Sequence, residues 1–217
     1  MSRRRVSTLA PFCSSEQTLP VFEGLSRPEA ARTIDRALTE VFTTTRQRNP
    51  MPQEPGSPPW DLCENAQRDF PVNLSVDYTV LRAGERGVAS VAFQLMLTPG
   101  AHPFTNDVCK VVDLTRGVVF DLMDKFRPGG RRSLEALVNQ QLRKQFRVND
   151  LRDADFQDAS YTLAHETMLC LFSDHVTVSA QGDDYKRVGV MIEPVRLTFD
   201  QLRPLLLDDA DVRAALR

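Results

Sequence analysis

The chain has 217 residues with a formal net charge of -2, and 41% of its residues are hydrophobic and 26% charged, as in an ordinary globular protein. A chain of this length can bury a substantial core. The near-neutral charge argues against a general nucleic-acid binder, which carries a basic excess. No apolar run approaches the roughly 20 residues that a bilayer-spanning helix needs.

The N-terminal stretch "MSRRRVSTLAP" begins like a signal peptide, with basic residues. No apolar segment of roughly 7–15 residues follows it, so the sequence as given carries no export signal. This leaves open a cytoplasmic protein or a mature domain whose signal or anchor has been removed. We interpret residues 1–17 as an N-terminal arm and residues 18–217 as a single domain.

The first elements are a short strand at 18–25 and a helix at 27–45. Ser26 is the expected N-cap, and Glu29 three residues later completes a capping box. Apolar residues recur at helical spacing along one face of this helix: Ala30, Ile34, Ala37, Leu38, Val41 and Phe42. The Pro-rich segment at 49–60 cannot form a helix or the interior of a sheet, and we expect an irregular surface connection there.

Strict alternation of apolar and polar residues at 70–83 predicts a half-buried strand, with Val72, Leu74, Val76, Tyr78 and Val80 on one face. The turn "GERG" joins it to an apolar partner strand at 88–98, so an antiparallel hairpin is expected. Further strands are predicted at 107–114, 161–174, 175–185 and 188–199. A second helix, capped by Ser133, is predicted at 133–146, and the tail from residue 200 reads as helical with Pro204 early in it.

Strands outnumber helices and come in adjacent hairpin-like groups. This pattern predicts an α+β fold, in which antiparallel sheet carries two main helices and a C-terminal helix packed on it. Four residues are expected in the core: Val76, Phe93, Leu95 and Leu137.

The four cysteines do not form a zinc-binding pattern. Cys109 and Cys170 lie inside apolar segments, where buried free thiols are expected. Cys13 and Cys63 lie in loop-like stretches and are the better candidates for a disulfide.

No sequence motif assembles a reaction. The chain has no GxSxG elbow, HExxH, P-loop or GxGxxG pattern. The paired carboxylates, of which Asp208 and Asp209 are one example, are interpreted as solvated charge. We therefore expect no catalytic residue, no cofactor and no metal. His102, in "TPGAHPFTND", follows the flexible Gly100 and precedes Pro103, which favours a histidine that organises a turn between two strands.

The segment "TPGAHPFTNDVCKVVDLTRGVVFDLMDKF", together with "SLEALVNQQLRKQF" and "VRLTFDQLRPLL", resembles one bacterial family. This is the family of the extracellular domain of the RsiV anti-sigma factor, an accessory domain of peptidoglycan deacetylases, and secreted mycobacterial immunogenic proteins. The resemblance runs over about residues 18 to 207. Its marks are a Gly-Ala-His turn and a strand that ends in Asp-Leu-Thr-x-Gly.

The resemblance implies a protein-binding or sensor domain rather than an enzyme, outside the cell or in the envelope, with lysozyme or another envelope protein as its partner. Family members often carry a Phe-x-Pro-Tyr segment where this chain has "LFSDHVTVSAQGDDY". We assign partner binding to Gly100 and His102 in the first segment, and to Asp174, His175 and Tyr185 in the second. Two alternatives stay open: a cell-wall hydrolase with His102 or His165 as its base, and a cytosolic interaction protein.

Overall fold

The computed structural model describes residues 1–47, 71–99, 104–148, 167–180 and 194–217. The fold is the expected mixture of antiparallel sheet and helices, including a helix near the C-terminus. None of the helices in the described ranges is long and apolar enough to cross a membrane.

The larger sheet has six strands in sequence order: β1 (Ser2–Ala10), β2 (Cys13–Val21), β3 (Val72–Ala83), β4 (Val88–Pro99), β5 (Phe104–Asp113) and β6 (Val118–Phe120). β1 and β2 form an antiparallel hairpin that begins well before the strand expected at 18–25. β2 and β3 pair in parallel, and helix α1 (Pro28–Gln47) lies between them in the chain. A parallel pair requires such a crossover, because a tight turn can only reverse a strand.

The smaller sheet has three antiparallel strands, β7 (Thr167–Leu171), β8 (His175–Ala180) and β9 (Val195–Thr198). Helix α2 (Gly130–Val148) precedes it in the chain. Two short helices follow it, α3 (Phe199–Leu202) and α4 (Ala210–Ala215). The tail is therefore not one continuous helix, because a 3-10 turn at Arg203–Leu205 that contains Pro204 interrupts it.

Helix starts were predicted to within a few residues. α1 begins at Pro28, so Ser26 lies one residue too early to be its N-cap. α2 begins at Gly130, and Ser133 lies within its first turn, where its backbone N–H donates to the carbonyl of Gly129 at 3.2 Å. Ser133 is therefore a helical residue rather than the cap.

By its internal contacts the chain divides into two compact units. The first comprises Met1–Val80, Val91–Val108 and Val112–Val119, and the second Leu81–Ser90, Cys109–Val111 and Phe120–Arg217. We call them the N-terminal unit and the C-terminal unit.

The core of the N-terminal unit confirms the two periodicities read from the sequence. Helix α1 buries residues at a spacing of four, and β3 buries alternate residues from Val72 to Tyr78, as an amphipathic helix and a half-buried strand should. The buried residues include Ile34, Leu38, Val72, Leu74, Val76, Tyr78, Phe93 and Leu95.

The core of the C-terminal unit is built on α2, which buries Leu134, Val138 and Leu142. Leu137, expected in the core, is only partly buried and packs against it. The sheet β7–β9 supplies the opposing side chains: Leu169, Leu171, Val176, Val178, Val195 and Leu197.

The prediction of free thiols at Cys109 and Cys170 is wrong, because these two residues form a disulfide. Both are buried, as expected, but β5 and β7 bring their Cα atoms to 5.2 Å across a sequence separation of 61. Such a long-range approach leaves no local signal in the sequence. Cys13 is also disulfide-bonded, as predicted, and its expected partner Cys63 lies outside the described residues.

Candidate functional site

The turn between β7 and β8 brings together two of the residues assigned to partner binding, Asp174 and His175. The Nδ1 atom of His175 lies 2.6 Å from the Oδ1 atom of Asp174. An ionised carboxylate can only accept hydrogen bonds, so Nδ1 carries the proton in this pair. The hydrogen bond from His175 is the main cause that holds the pKa of Asp174 below its ordinary value.

Phe172 fixes the position of the His175 ring. The two rings stack with their centroids 4.6 Å apart and an angle of 6° between their planes. The backbone N–H of Phe172 also donates to the carbonyl of His175 at 2.8 Å, which closes a turn over Ser173 and Asp174. The imidazole is therefore held on one face by an aromatic ring and at one nitrogen by a carboxylate.

The other ring nitrogen of His175 is buried. Nε2 is shielded from solvent and has no hydrogen-bond partner among the described residues. With the proton on Nδ1, Nε2 is the nitrogen that would have to accept a proton from a substrate or from water. The exposed polar group of the pair is the carboxylate of Asp174.

The exposed part of this region consists of Ser173, Asp174 and Arg196, which we call the β8-turn surface. The side chain of Asp174 is 86% exposed, and Ser173 is exposed as well. Arg196 lies on β9 opposite Thr177, and its positive charge also lowers the pKa of Asp174. The surface carries one exposed anion and one exposed cation.

The remaining residues assigned to binding, Gly100, His102 and Tyr185, lie outside the described residues, as does His165. Their assignment stays a prediction. The described ranges contain no group of three or more His, Cys, Asp or Glu residues that could hold a metal ion.

The motif Asp-Leu-Thr-x-Gly, at residues 113–117, forms a structural turn. The buried carboxylate of Asp113 accepts from the backbone N–H groups of Thr115 and Arg116, both at 2.9 Å, and from Nε of Arg116 at 2.7 Å. Gly117 takes a left-handed φ of 73°, and its N–H donates to the Asp113 carbonyl at 2.8 Å. All the polar atoms named here serve the turn itself, so the motif marks the fold rather than a ligand site.

A charged cluster that the sequence analysis missed lies around Lys125. Its Nζ donates to the carboxylates of Asp209, at 3.1 Å, and Asp211, and lies 5.3 Å from the centre of the Phe120 ring. Burial opposes the charge on Lys125, but the two carboxylates outweigh it and raise the pKa of the ammonium group.

Asp209 is therefore not merely a solvated charge, as we had interpreted it. Its Oδ1 caps α4 by accepting from the N–H of Val212 at 2.9 Å. Burial opposes ionisation, but this bond and Lys125 together lower the pKa of Asp209. An Asp directly before a helical segment is an N-cap signal that the sequence did contain.

Two solved structures share this fold. One is a DUF3298 family protein from Pseudomonas aeruginosa PAO1, with a TM-score of 0.59 and 16% sequence identity over 95% of this chain and 94% of that one. The other is a DUF3298 family member from Bacteroides fragilis NCTC 9343, with a TM-score of 0.59 and 12% identity over 100% of this chain and 96% of that one. At such low identity the likeness defines the class of fold alone.

No family model matches the sequence, and no curated protein matches it.

Proposed function

We propose that this chain is a non-catalytic protein-binding domain of the RsiV-like kind, which recognises lysozyme or another cell-envelope protein. The proposal rests on the agreement of two independent observations, one from the sequence and one from the fold. The motifs of the sequence resemble the RsiV-like family, and the fold matches DUF3298 family proteins over 95% of the chain. Fold does not imply function, so the proposal also needs a location and a surface.

The cysteines support a location outside the cytoplasm. Cys109 and Cys170 are joined, Cys13 is also disulfide-bonded, and the described part of the chain has no free cysteine. Disulfides form and persist in oxidising compartments and are rare in the cytosol. We therefore propose a location in the cell envelope or outside the cell rather than the cytosolic alternative.

The β8-turn surface supports protein binding through Asp174. Like any aspartate of ordinary or lowered pKa, Asp174 is ionised at neutral pH, and its exposure leaves the carboxylate accessible to a partner. Charged groups at such positions steer association and select partners of opposite charge. Lysozyme, the partner that the resemblance implies, is therefore the first candidate to test.

Biolayer interferometry with the oxidised protein immobilised and lysozyme in solution tests the proposal. Asp174→Asn should weaken binding by about fivefold, since a single exposed charged contact contributes modestly to affinity. Asp208→Asn is the matched control, because Asp208 is also 86% exposed and its carboxylate pairs with Arg213 at 2.9 Å. Equal losses in the two variants would remove the β8-turn surface from the proposal, and folded wild-type protein that binds no lysozyme would reject this partner.

A further inference from the structure

Strand β1 is at one end of the six-stranded sheet, and among the described strands only β2 pairs with it. It runs for nine residues, Ser2–Ala10, without a proline. An edge strand of this length presents a row of backbone N–H and C=O groups that a further strand can use. Natural proteins usually protect such an edge from pairing with other chains. The side chains along β1 therefore decide whether another strand can pair with it.

The side chains of β1 alternate between its two faces. Arg3, Arg5, Ser7 and Leu9 are exposed, whereas Arg4 and Val6 are half-buried. Arginines protect an edge from unwanted pairing, but Leu9 does the opposite. Its exposed fraction is 89%, the highest among the exposed large hydrophobic residues of the described chain.

The three arginines differ in how their charges are neutralised. Arg4 forms a salt bridge to Asp35 at 2.8 Å, and Arg5 pairs with Glu16. Arg3 lies 5.3 Å from the centre of the Tyr78 ring and has no carboxylate partner in the described part of the chain. One end of the edge therefore presents an uncompensated cation.

The other end presents a fixed apolar tip. In the turn that follows β1, Phe12 is exposed and adopts a left-handed φ of 61°, which residues other than glycine seldom adopt. The Phe12 carbonyl accepts from the N–H of Val72 at 2.9 Å, and the next residue, Cys13, is buried and disulfide-bonded. The tip is thus held in place while its apolar side chains face the solvent.

We infer that β1 binds an extended segment of a partner protein as an additional strand, on the edge away from β2. The segment would carry an acidic residue against Arg3 and an apolar side chain against Leu9 and Phe12. Arg3 and Leu9 lie six residues apart, or about 20 Å along a strand, so the segment spans roughly seven residues. Main-chain hydrogen bonds supply the affinity in this mode of recognition, and alternate side chains supply the specificity.

The charge pattern disfavours a second copy of the chain as the occupant. Antiparallel self-pairing about Val6 would place Arg3 of one copy opposite Leu9 of the other, and Arg5 opposite Ser7. No carboxylate would meet Arg3, and its charge would lie beside an apolar side chain. A partner with an acidic residue is the better complement.

The composition around the tip also disfavours an anionic lipid surface. Such surfaces attract clusters of Lys and Arg beside the inserting residues. The neighbours of Leu9 are instead two serines: Ser7 on the same face of β1, and Ser14, which pairs with Leu9 across the hairpin. The hydroxyl of Ser14 donates to the side chain of Asn73 at 2.5 Å.

This inference rests on the proposed function, because it assigns a second surface to protein binding, but it uses none of the residues of the β8-turn surface. The probe is a fluorescent nine-residue peptide of alternating Thr and Val, with Asp placed opposite Arg3 and Leu opposite Leu9. Its control peptide carries Lys in place of Asp. Anisotropy is measured on the full oxidised chain, its Arg3→Glu and Leu9→Ser variants, and Leu207→Ser, whose Leu207 is also an exposed leucine.

The acidic peptide should bind wild type and Leu207→Ser equally, and bind Arg3→Glu and Leu9→Ser about tenfold more weakly. Arg3→Glu should instead prefer the Lys peptide. Absence of saturable binding below roughly 1 mM, or equal binding by all variants, would overturn the inference. A wild-type homodimer that Leu9→Ser converts to a monomer would overturn it too, because the edge of β1 would then bind a second copy of the chain. If lysozyme binds and Asp174→Asn weakens that binding, but the peptide does not bind, this inference is rejected and the proposed function is not.

Discussion

The backbone of Ala30 occupies the space where a side chain on Gly117 would lie. A Cβ atom built on Gly117 would stand 2.7 Å from the Cα of Ala30 and 2.8 Å from its Cβ. The turn at 113–117 therefore touches the first turn of α1, and only a glycine permits that approach. The same residue also needs its left-handed φ of 73°, so two independent constraints act at one position.

Gly117→Ala should lower the free energy of unfolding by about 3–5 kcal/mol, from steric overlap added to the cost of a left-handed alanine. Gly24→Ala is the matched control, because Gly24 has a φ of 70° but nothing within 4 Å of its would-be Cβ. It should cost only about 1–2 kcal/mol. Urea denaturation of both variants measures the difference, and equal losses would show that the contact with Ala30 is unimportant.

Arg82 should hold the C-terminal residues in place through hydrogen bonds to their backbone carbonyls. It is 2% exposed, and its Nη1 donates to the carbonyl of Ala215 at 2.7 Å, while Nη2 reaches the carbonyls of Glu85 and Arg217 at 3.4 Å. Burial is the main cause that lowers the pKa of this guanidinium. Arg82→Met leaves a buried carbonyl unpaired and should cost about 2–4 kcal/mol by chemical denaturation.

The control for Arg82 is Arg203→Met, because Arg203 also donates to a C-terminal carbonyl, that of Leu216 at 3.1 Å, but is exposed. Its loss should stay below about 1 kcal/mol. Hydrogen exchange should show early opening of α4 in Arg82→Met and not in Arg203→Met. Unchanged exchange in Arg82→Met would mean that other contacts hold the helix.

The sequence predicted much of the N-terminal unit because its signals are local. Alternation along β3 placed Val72, Leu74, Val76, Tyr78 and Val80 on one face; the first four are buried and Val80 is half-buried. The same alternation continues to Arg82, which no periodicity argument would place inside. A buried arginine depends on carbonyl groups that are distant in sequence, and those appear only in the folded chain.

The candidate site was predictable only in part. Asp174 and His175 are adjacent in sequence, so their proximity required no fold. The ring stacking on Phe172 and the shielding of Nε2 depend on the turn geometry and could not be read from residue types. Lys125 and Asp211 lie 86 residues apart, which hides their contact from any local pattern.

The ion pairs of the Lys125 cluster should stabilise the fold at neutral pH and lose that contribution at both low and high pH. The pKa of Asp209 is lowered in the folded state, so its contribution is complete above about pH 4 and is lost as the pH falls through the folded pKa. The pKa of Lys125 is raised, so its contribution is complete below about pH 10 and is lost as the pH rises through the folded pKa.

Thermal unfolding of wild type and Lys125→Met across pH 2 to 11 measures this. The gap between their melting temperatures should be largest at neutral pH and should narrow at both extremes. A gap that is constant with pH would mean that Lys125 stabilises through packing on Phe120 rather than through its charge. Asp208→Asn, which removes an exposed ion pair with Arg213, should leave the profile nearly unchanged.

The disulfide between Cys109 and Cys170 should be a large contributor to stability. It closes a loop of about 60 residues, for which loop entropy suggests about 4 kcal/mol. The double variant Cys109→Ala/Cys170→Ala should unfold at a markedly lower urea concentration than the wild type. Because both cysteines are buried, a mild reductant should reach them only after unfolding. Rapid reduction in the native state would contradict the buried bond.

The central claim is that this domain binds a protein partner of the cell envelope. The most direct measurement is an isothermal titration of lysozyme into the oxidised wild-type chain, with its folding checked by circular dichroism. We predict a saturable one-to-one complex with a Kd at or below about 1 μM, a binding free energy near 8 kcal/mol. A folded, oxidised chain that gives no saturable heat with lysozyme, and that instead cleaves peptidoglycan fragments, would contradict it.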